Sequence, residues 1–545
     1  MGPSRRELLR ASGAGLATLL GACRPGAAAA GTGHISGRLM PDFASTGHRL
    51  RDGIASALPS SRQSARVLVV GAGIAGLAAA WRLQRAGIDG VQVIELAPEP
   101  GGTSIGGQVA ELRVPWGAHY LPVPRTSQRH LVAQLEDLGL VQGTSPTGRV
   151  QVPDEHLVRA PAERIYELGY WEEGLWPPAG DTAQDRLDRE RLNRLLTAAG
   201  QRSPDGRRPF DQPLAQSSPD QRSLDGMSGA DWAAANGLDS ERVRWYLDYA
   251  TRDDFGASLE TTSAYALLHY FLSREDSAGE TADFLTWPEG NGRLVEGMTA
   301  LLPSPPQTGQ MALRVVPGAD GTEVHALDVQ SGTVRAWSAE RVILAVPQFV
   351  AARILADDPH AKARRTFRYS PWVVANLHLC EPPPSRGFPA AWDSVLRHSP
   401  SLGYVDATHQ LDRDHARDTV WTWYLPITDL DEAAARAELM GTTWEDWRNL
   451  VLADLAPSHP GLAERVTHID VRRWGHAMVK PVPGFVWGQS RQVAARPVGG
   501  VHFAHSDLSA MALYEEAHWQ GVRAAEEVLA ALGSTQESLL DDVPR

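Results

Sequence analysis

A chain of 545 residues is several times the usual domain size, and 43 % apolar residues with 17 tryptophans supply a large core, so global disorder is excluded. The net charge of -13 comes with no block of lysine or arginine, which argues against nucleic acid and anionic lipid headgroups as partners. Only Lys362 and Lys480 are lysines, as genome composition would give, and two cysteines, Cys23 and Cys380, cannot build a disulfide framework.

Ser4-Arg5-Arg6-Glu7-Leu8-Leu9 is a twin-arginine signature. The apolar stretch Ala11 to Ala22 is too short to span a bilayer, which takes about 20 residues, but it suits the hydrophobic region of an export signal. It ends in Leu20-Gly21-Ala22-Cys23, which resembles the lipobox of bacterial lipoproteins and implies lipidation of Cys23. The plain alternative is an uncleaved, frayed tail. Twin-arginine export carries folded proteins and suits a chain that must take up a cofactor first. The expected location is therefore the periplasmic side, with contact to the export machinery and to the membrane only through a lipid anchor. Residues 24–63, rich in Ala, Gly and Ser, read as a tether.

Arg66-Val67-Leu68-Val69-Val70 has the apolar, β-branched character of a parallel strand covered on both faces. Gly71-Ala72-Gly73-Ile74-Ala75-Gly76 follows, then a helix-compatible run to Arg85 and a second strand, Val91 to Ile94, ending in Glu95. Glycines at this spacing between strand and helix, with an acid about 20 residues on, form a dinucleotide fingerprint. Gly71 allows the tight turn, Gly73 the approach of a diphosphate, and Gly76 close helix packing. The helix start, with Ile74 and Ala75, offers free N–H groups and a positive dipole end. Glu95 would accept from ribose hydroxyls.

Gly101-Gly102-Thr103 follows Glu95 closely and resembles the paired-glycine extension of glutathione-reductase-like FAD proteins, especially the flavin amine oxidase and phytoene desaturase superfamily. Most relatives carry arginine where this chain has Thr103, so one phosphate contact must come from elsewhere. Four further blocks are similar to the superfamily, in its order: Trp116 to Tyr120, which would pass near the flavin ring; Trp287 to Leu294; Arg341 to Pro347; and Gly500 to Asp507, followed by a helical run from Tyr514 to Ala531. Val316 is the candidate to face the adenine. Ser506 and Asp507 stand at the cofactor-gripping turn, with His505 replacing the usual glycine. The resemblance implies an α/β fold in which a Rossmann-like FAD-binding domain interleaves with a mixed α+β substrate domain. FAD segments are expected at 64–125, 285–353 and 473–533, substrate segments at 126–284 and 354–472, a signal at 1–23 and a tail at 534–545. Within the substrate part, Thr182 to Ala199 reads as a solvated helix and Gly200 to Arg222 as a surface loop.

Such a protein passes hydride from a small substrate, here an amine, to flavin N5, with oxygen or a quinone as the final acceptor. The FAD is expected to be non-covalent, since the C-terminal blocks hold no cysteine. Asn376 falls where many amine oxidases have a lysine near N5, which makes a dehydrogenase more plausible. Lys480 is a substitute cation, His476 and His505 are acid/base candidates, and Trp372, Trp421, Trp423, Tyr424, Trp474, Phe485 and Trp487 are candidates for an aromatic pocket. No Cys/His array has metal-ligand spacing. Two other readings stay open: a desaturase or porphyrinogen-type oxidase with an apolar substrate, and a flavin-binding accessory protein without turnover.

Overall fold

A computed structural model describes residues 34–54, 58–146, 148–274, 282–411 and 418–540. The twin-arginine signature and Cys23 lie outside the described residues.

Two sheets organise the chain. In the first, Ser61–Val70 lies between Val91–Ile94 and Val334–Leu344, all parallel, and Val501–Phe503 joins the far end of Val334–Leu344, also parallel. An antiparallel meander, Gln310–Gly318 and Gly321–Asp328, extends the edge. Burial along Ser61–Val70 switches from exposed to fully buried at Val67, where helices begin to cover both faces. Helix Ile74–Arg85 packs on helix Tyr514–Ala531 at a glycine, since a Cβ on Gly521 would sit 2.2 Å from the Ala75 carbonyl oxygen. This is the interleaved α/β architecture expected, with the parallel core assembled from three separate chain segments.

The second sheet has eight strands in the order Ser36–Leu39, Val466–Val479, Tyr369–Leu379, Thr419–Pro426, Tyr404–Asp406, Asp393–Leu396, Glu163–Glu167 and Tyr170–Glu173. Its outer face, with Val373, Ala375, Trp421 and Trp423, is covered by helices Glu432–Gly441 and Trp444–Leu455. Period-2 alternation sends Trp372, Val374, Tyr424 and Val395 to the inner face, against Trp116 and Tyr249. The inner face therefore looks toward the segment 105–120 and toward helix Glu241–Phe255.

Several boundaries differ from the sequence reading. Residues 34–54 do not read as a tether: Ser36–Leu39 pairs in parallel with His468 to Val471, and Ile35 is 4 % exposed in the core behind it. Strand Val466–Val479 runs unbroken past residue 473, so the substrate sheet extends to Val479. Helix Arg129–Asp137 puts Leu131 and Leu135 into the core beside Leu77 and Val528, on the nucleotide side. Thr182 does cap helix Ala183–Ala199 in a reciprocal box with Asp185, though Asp185 and Asp188 are buried. The stretch from Gly200 to Arg222 is no surface loop. Phe210 to Leu214 are buried, with Asp211 paired to Arg125 and the Leu214 N–H donating to Glu516 (2.5 Å), so its polar residues meet partners in the interior.

Candidate active site

The glycine-rich turn forms a cradle. Gly71 has φ +101°, and a Cβ there would lie 2.4 Å from the Ala345 carbonyl oxygen, so no other residue fits. Gly76 is equally constrained, 1.9 Å from the Gly71 oxygen. Gly73 differs, because a Cβ there would meet nothing closer than Gly102 Cα at 4.0 Å. The protein leaves that space open at the uncapped start of helix Ile74–Arg85, where the N–H groups of Ile74, Ala75 and Gly76 have no intrahelical acceptor. The Gly101 N–H donates to the Ala72 oxygen (2.8 Å), which brings exposed Gly102 and Thr103 to the same opening. Glu95 braces the turn, accepting from the N–H of Ala72 (2.6 Å) and of Ala97 (2.8 Å), and burial pushes its carboxyl above the usual range. Each carboxylate oxygen retains a lone pair. Space, donors and acceptor thus fit a dinucleotide diphosphate and ribose.

Three side chains from the inner face of the substrate sheet clamp three successive carbonyls of the next segment. Asn376 Nδ2 donates to the Pro115 oxygen (2.9 Å), Trp474 Nε1 to the Trp116 oxygen (2.7 Å) and Tyr424 OH to the Gly117 oxygen (3.1 Å). Thr422 completes Asn376 by donating to its Oδ1 (2.7 Å). Asn376 is fully buried and committed to these bonds, so it holds the segment and is not free to stand at the flavin edge where the sequence registration placed it. Arg472 stacks over Trp116 and Trp474 and interacts with Glu99, which gives the paired-glycine region a cation that Thr103 does not.

Beyond the clamp, the inner face opens on a cavity. His119 stacks on Tyr424 (ring centroids 5.0 Å) and lies near Trp392 (5.5 Å), and burial holds its imidazole down to about 4, hence neutral. Glu163 and Asp393 are direct partners on adjacent parallel strands, so their side chains stand side by side on one face. Asp253 faces them from helix Glu241–Phe255, one turn beyond Tyr249. All three carboxylates are enclosed by protein yet keep accessible surface, as cavity walls do. Among the described residues none of the three pairs with a cation. Burial and mutual repulsion push Glu163 and Asp253 up to about 7 and Asp393 well above its ordinary range. Because the folded protein then holds these protons more tightly than the unfolded chain, stability is lost as pH rises through about 7. Glu163→Gln should therefore melt higher than wild type, by an increment that grows from pH 5 to pH 8. An increment that shrinks over that range would contradict this.

The remaining expected residues scatter. Val316 lies six residues along its strand from Gln310, whose N–H donates to the Glu95 oxygen (2.7 Å), so Gln307 and Gln310, not Val316, flank Glu95. Lys480 pairs with Glu432 (3.5 Å) on an outer-face helix, away from the clamp and the cavity. His476 stacks on Phe349 (4.4 Å) and is held down to about 4, chiefly by burial, so it would act as a neutral imidazole. Asp507 does not face the cradle freely: its Oδ2 accepts from Tyr369 OH (2.5 Å) and the Gln348 N–H (2.9 Å), and His505 Nδ1 lies 2.9 Å from its Oδ1. Ser506, half-buried, is the open position of that turn. Of the seven aromatic candidates, Trp372, Tyr424 and Trp474 share the inner face. Trp421 and Trp423 point outward, and Phe485 and Trp487 belong to the core around Tyr265. Glu163, Asp253 and Asp393 were missed altogether; an acid at an inward strand position is a signal only once the strand and its register are known.

A comparison with curated proteins returns no match. Among solved structures, putrescine oxidase bound to putrescine is similar at 18 % identity and a TM-score of 0.61, covering 86 % of this chain and 100 % of its own. Cyclohexylamine oxidase from Brevibacterium oxydans IH-35A is similar at 18 % identity and 0.63, with the same coverage. A CLA-producing fatty acid isomerase from P. acnes is similar at 17 % and 0.58, covering 86 % and 98 %. At these identities the likeness speaks for the fold. The family model for flavin containing amine oxidoreductases matches residues 74–529, most of the chain, and with the cradle and the cavity in place the conclusion follows that this protein belongs to that family and is an FAD-dependent oxidoreductase.

Proposed function

We propose that this protein oxidises a small amine held in the cavity between the substrate sheet and helix Glu241–Phe255. The observation that carries the reading is the joining of two sites by one short segment: residues 115–120 run from the three-carbonyl clamp to the aromatic, anionic cavity. FAD, when bound, supplies the acceptor for a hydride equivalent. In this reading Gly71, Gly73, Ile74, Ala75 and Gly76 receive its diphosphate, with Gly101, Gly102 and Thr103 closing over it, Glu95 receives the ribose, and Ser506 lies at the C-terminal turn. The clamp fixes the segment beside the flavin, the aromatic walls exclude water, and neutral His119 can hold an uncharged amine by a hydrogen bond.

A long apolar substrate fits poorly, because it would desolvate Glu163, Asp393 and Asp253 without compensation. Anaerobic addition of amines to the yellow protein is expected to bleach the flavin band, and air or a quinone to restore it; an unchanged spectrum with every amine would overturn the reading. Export belongs to the same proposal, supported by Ser4 to Leu9 and by Leu20 to Cys23. Replacing Arg5 and Arg6 by lysine should leave the protein in the cytoplasm, and Cys23→Ser should release it from the membrane.

A further inference from the structure

Four acids converge on the cavity from three elements. Glu163 and Asp393 stand side by side on the inner face of the sheet, and Asp253 and Asp254 close the opposite wall from the end of helix Glu241–Phe255. Like charges placed directly opposite each other on a sheet are destabilising. A fold that keeps such a pair facing a cavity spends stability on it, as sites built for a ligand do. Cations nearby are few. Arg274 is taken up by Asp254 Oδ1 and the Tyr270 oxygen, and Arg252 pairs with Asp248. Asp254 supplies an independent sign: it is 4 % exposed, and its Oδ2 has no hydrogen-bond partner, beside Asp253 and Tyr120 on the cavity wall. The rings of Tyr249 and Tyr424 border Asp393 and Asp253, with Trp392 beside His119, so the surroundings of the acids are aromatic.

We propose that this pocket is a subsite for a second ammonium group of the substrate, so that the protein selects di- or polyamines, with Glu163, Asp393 and Asp253 as counter-charges. The inference rests on the amine reading above and adds to it a spacing. Tyr424 and Asp393 are two strands apart, roughly 10 Å at the usual inter-strand distance. The reacting nitrogen is placed at the His119–Tyr424 end and the distal one at Asp393, which favours a chain longer than the four carbons of putrescine.

The test uses the flavin-loaded protein with two series of probes, linear α,ω-diamines and n-alkylamines of three to ten carbons. Anaerobic calorimetry reads binding, and loss of the visible flavin band reads reduction. Diamines should bind at least about tenfold more tightly than alkylamines of equal length, a modest effect for close charge pairs. The optimum should lie above four carbons. Asp393→Asn and Glu163→Gln should each collapse the diamine-to-monoamine ratio while melting no lower than wild type, because both remove repulsion at nearly constant shape. At pH 6 diamine binding should also release protons, visible as a binding heat that depends on the buffer, which a purely structural role would not give. Equal binding of both series, or an unchanged ratio in the variants, overturns the subsite while leaving amine oxidation standing if flavin is reduced. Selective diamine binding without bleaching keeps the subsite and overturns the oxidation reading. Binding of neither series overturns both.

Discussion

Gly73→Ala is expected to give a folded but colourless protein, whereas Gly76→Ala should fail to fold. Both positions belong to one motif, and the difference comes from what a single methyl group would meet. At Gly73 the backbone is extended (φ -71°, ψ -179°), a conformation open to any L-residue, and the new Cβ would clear all protein atoms by 4.0 Å or more. The methyl group would fill only the space in front of the uncapped helix start, where the cofactor's diphosphate needs backbone contact. Flavin affinity should fall by roughly a hundredfold, about 2.7 kcal/mol, with the melting temperature of the flavin-free protein unchanged. At Gly76 the same methyl group would lie 1.9 Å from the Gly71 oxygen and 3.2 Å from Ala345 Cβ, all within the central sheet and its first helix. Backbone cannot yield there, and overpacking should cost about 3 kcal/mol or more. The flavin-to-protein absorbance ratio and the melting curve separate the two outcomes. Normal flavin content in Gly73→Ala would mean that the cradle holds something else.

That motif was legible because its information is local: strand, turn, helix and Glu95 lie within 30 residues and are constrained by spacing alone. The features that escaped are all long-range. Ser36–Leu39 is four residues of unremarkable composition, and only its pairing with a strand more than 400 residues away makes it structure. Phe210 to Leu214 lie in a stretch rich in Pro, Asp and Ser that looks solvated until Arg125 and Glu516 are brought to meet it. Val316, the candidate to face the adenine, shows the role of register: the residues bonded beside Glu95 come six or more positions before it. The carboxylate pair is the same problem at the site itself. Glu163 and Asp393 are 230 residues apart, each ordinary, and they become neighbours only through one parallel strand pairing.

Restoring a lysine at Asn376 should wreck the protein rather than improve its reaction with oxygen. Sequence registration put this residue at the flavin's reactive edge, where an ammonium would help electrons leave. Its actual surroundings are a closed hydrogen-bond circuit: the amide donates to Pro115, accepts from Thr422, and has no exposed surface. A lysine there would bury an unpaired charge and orphan both the Pro115 oxygen and the Thr422 hydroxyl, at a cost of about 4 kcal/mol, the upper range for single substitutions. Asn376→Ala isolates the milder half of the effect, since it removes the bonds without adding a charge; leaving buried polar groups unsatisfied costs about 1–3 kcal/mol. Because Trp474 and Tyr424 still hold the neighbouring carbonyls, the alanine variant should fold, melt lower, and retain flavin while losing turnover as residues 115–117 loosen. Melting temperature and the rate of anaerobic flavin reduction are the two measurements. If Asn376→Lys instead folds with normal stability and reoxidises faster in air, the side chain must reach the flavin, and the clamp assigned to it is wrong.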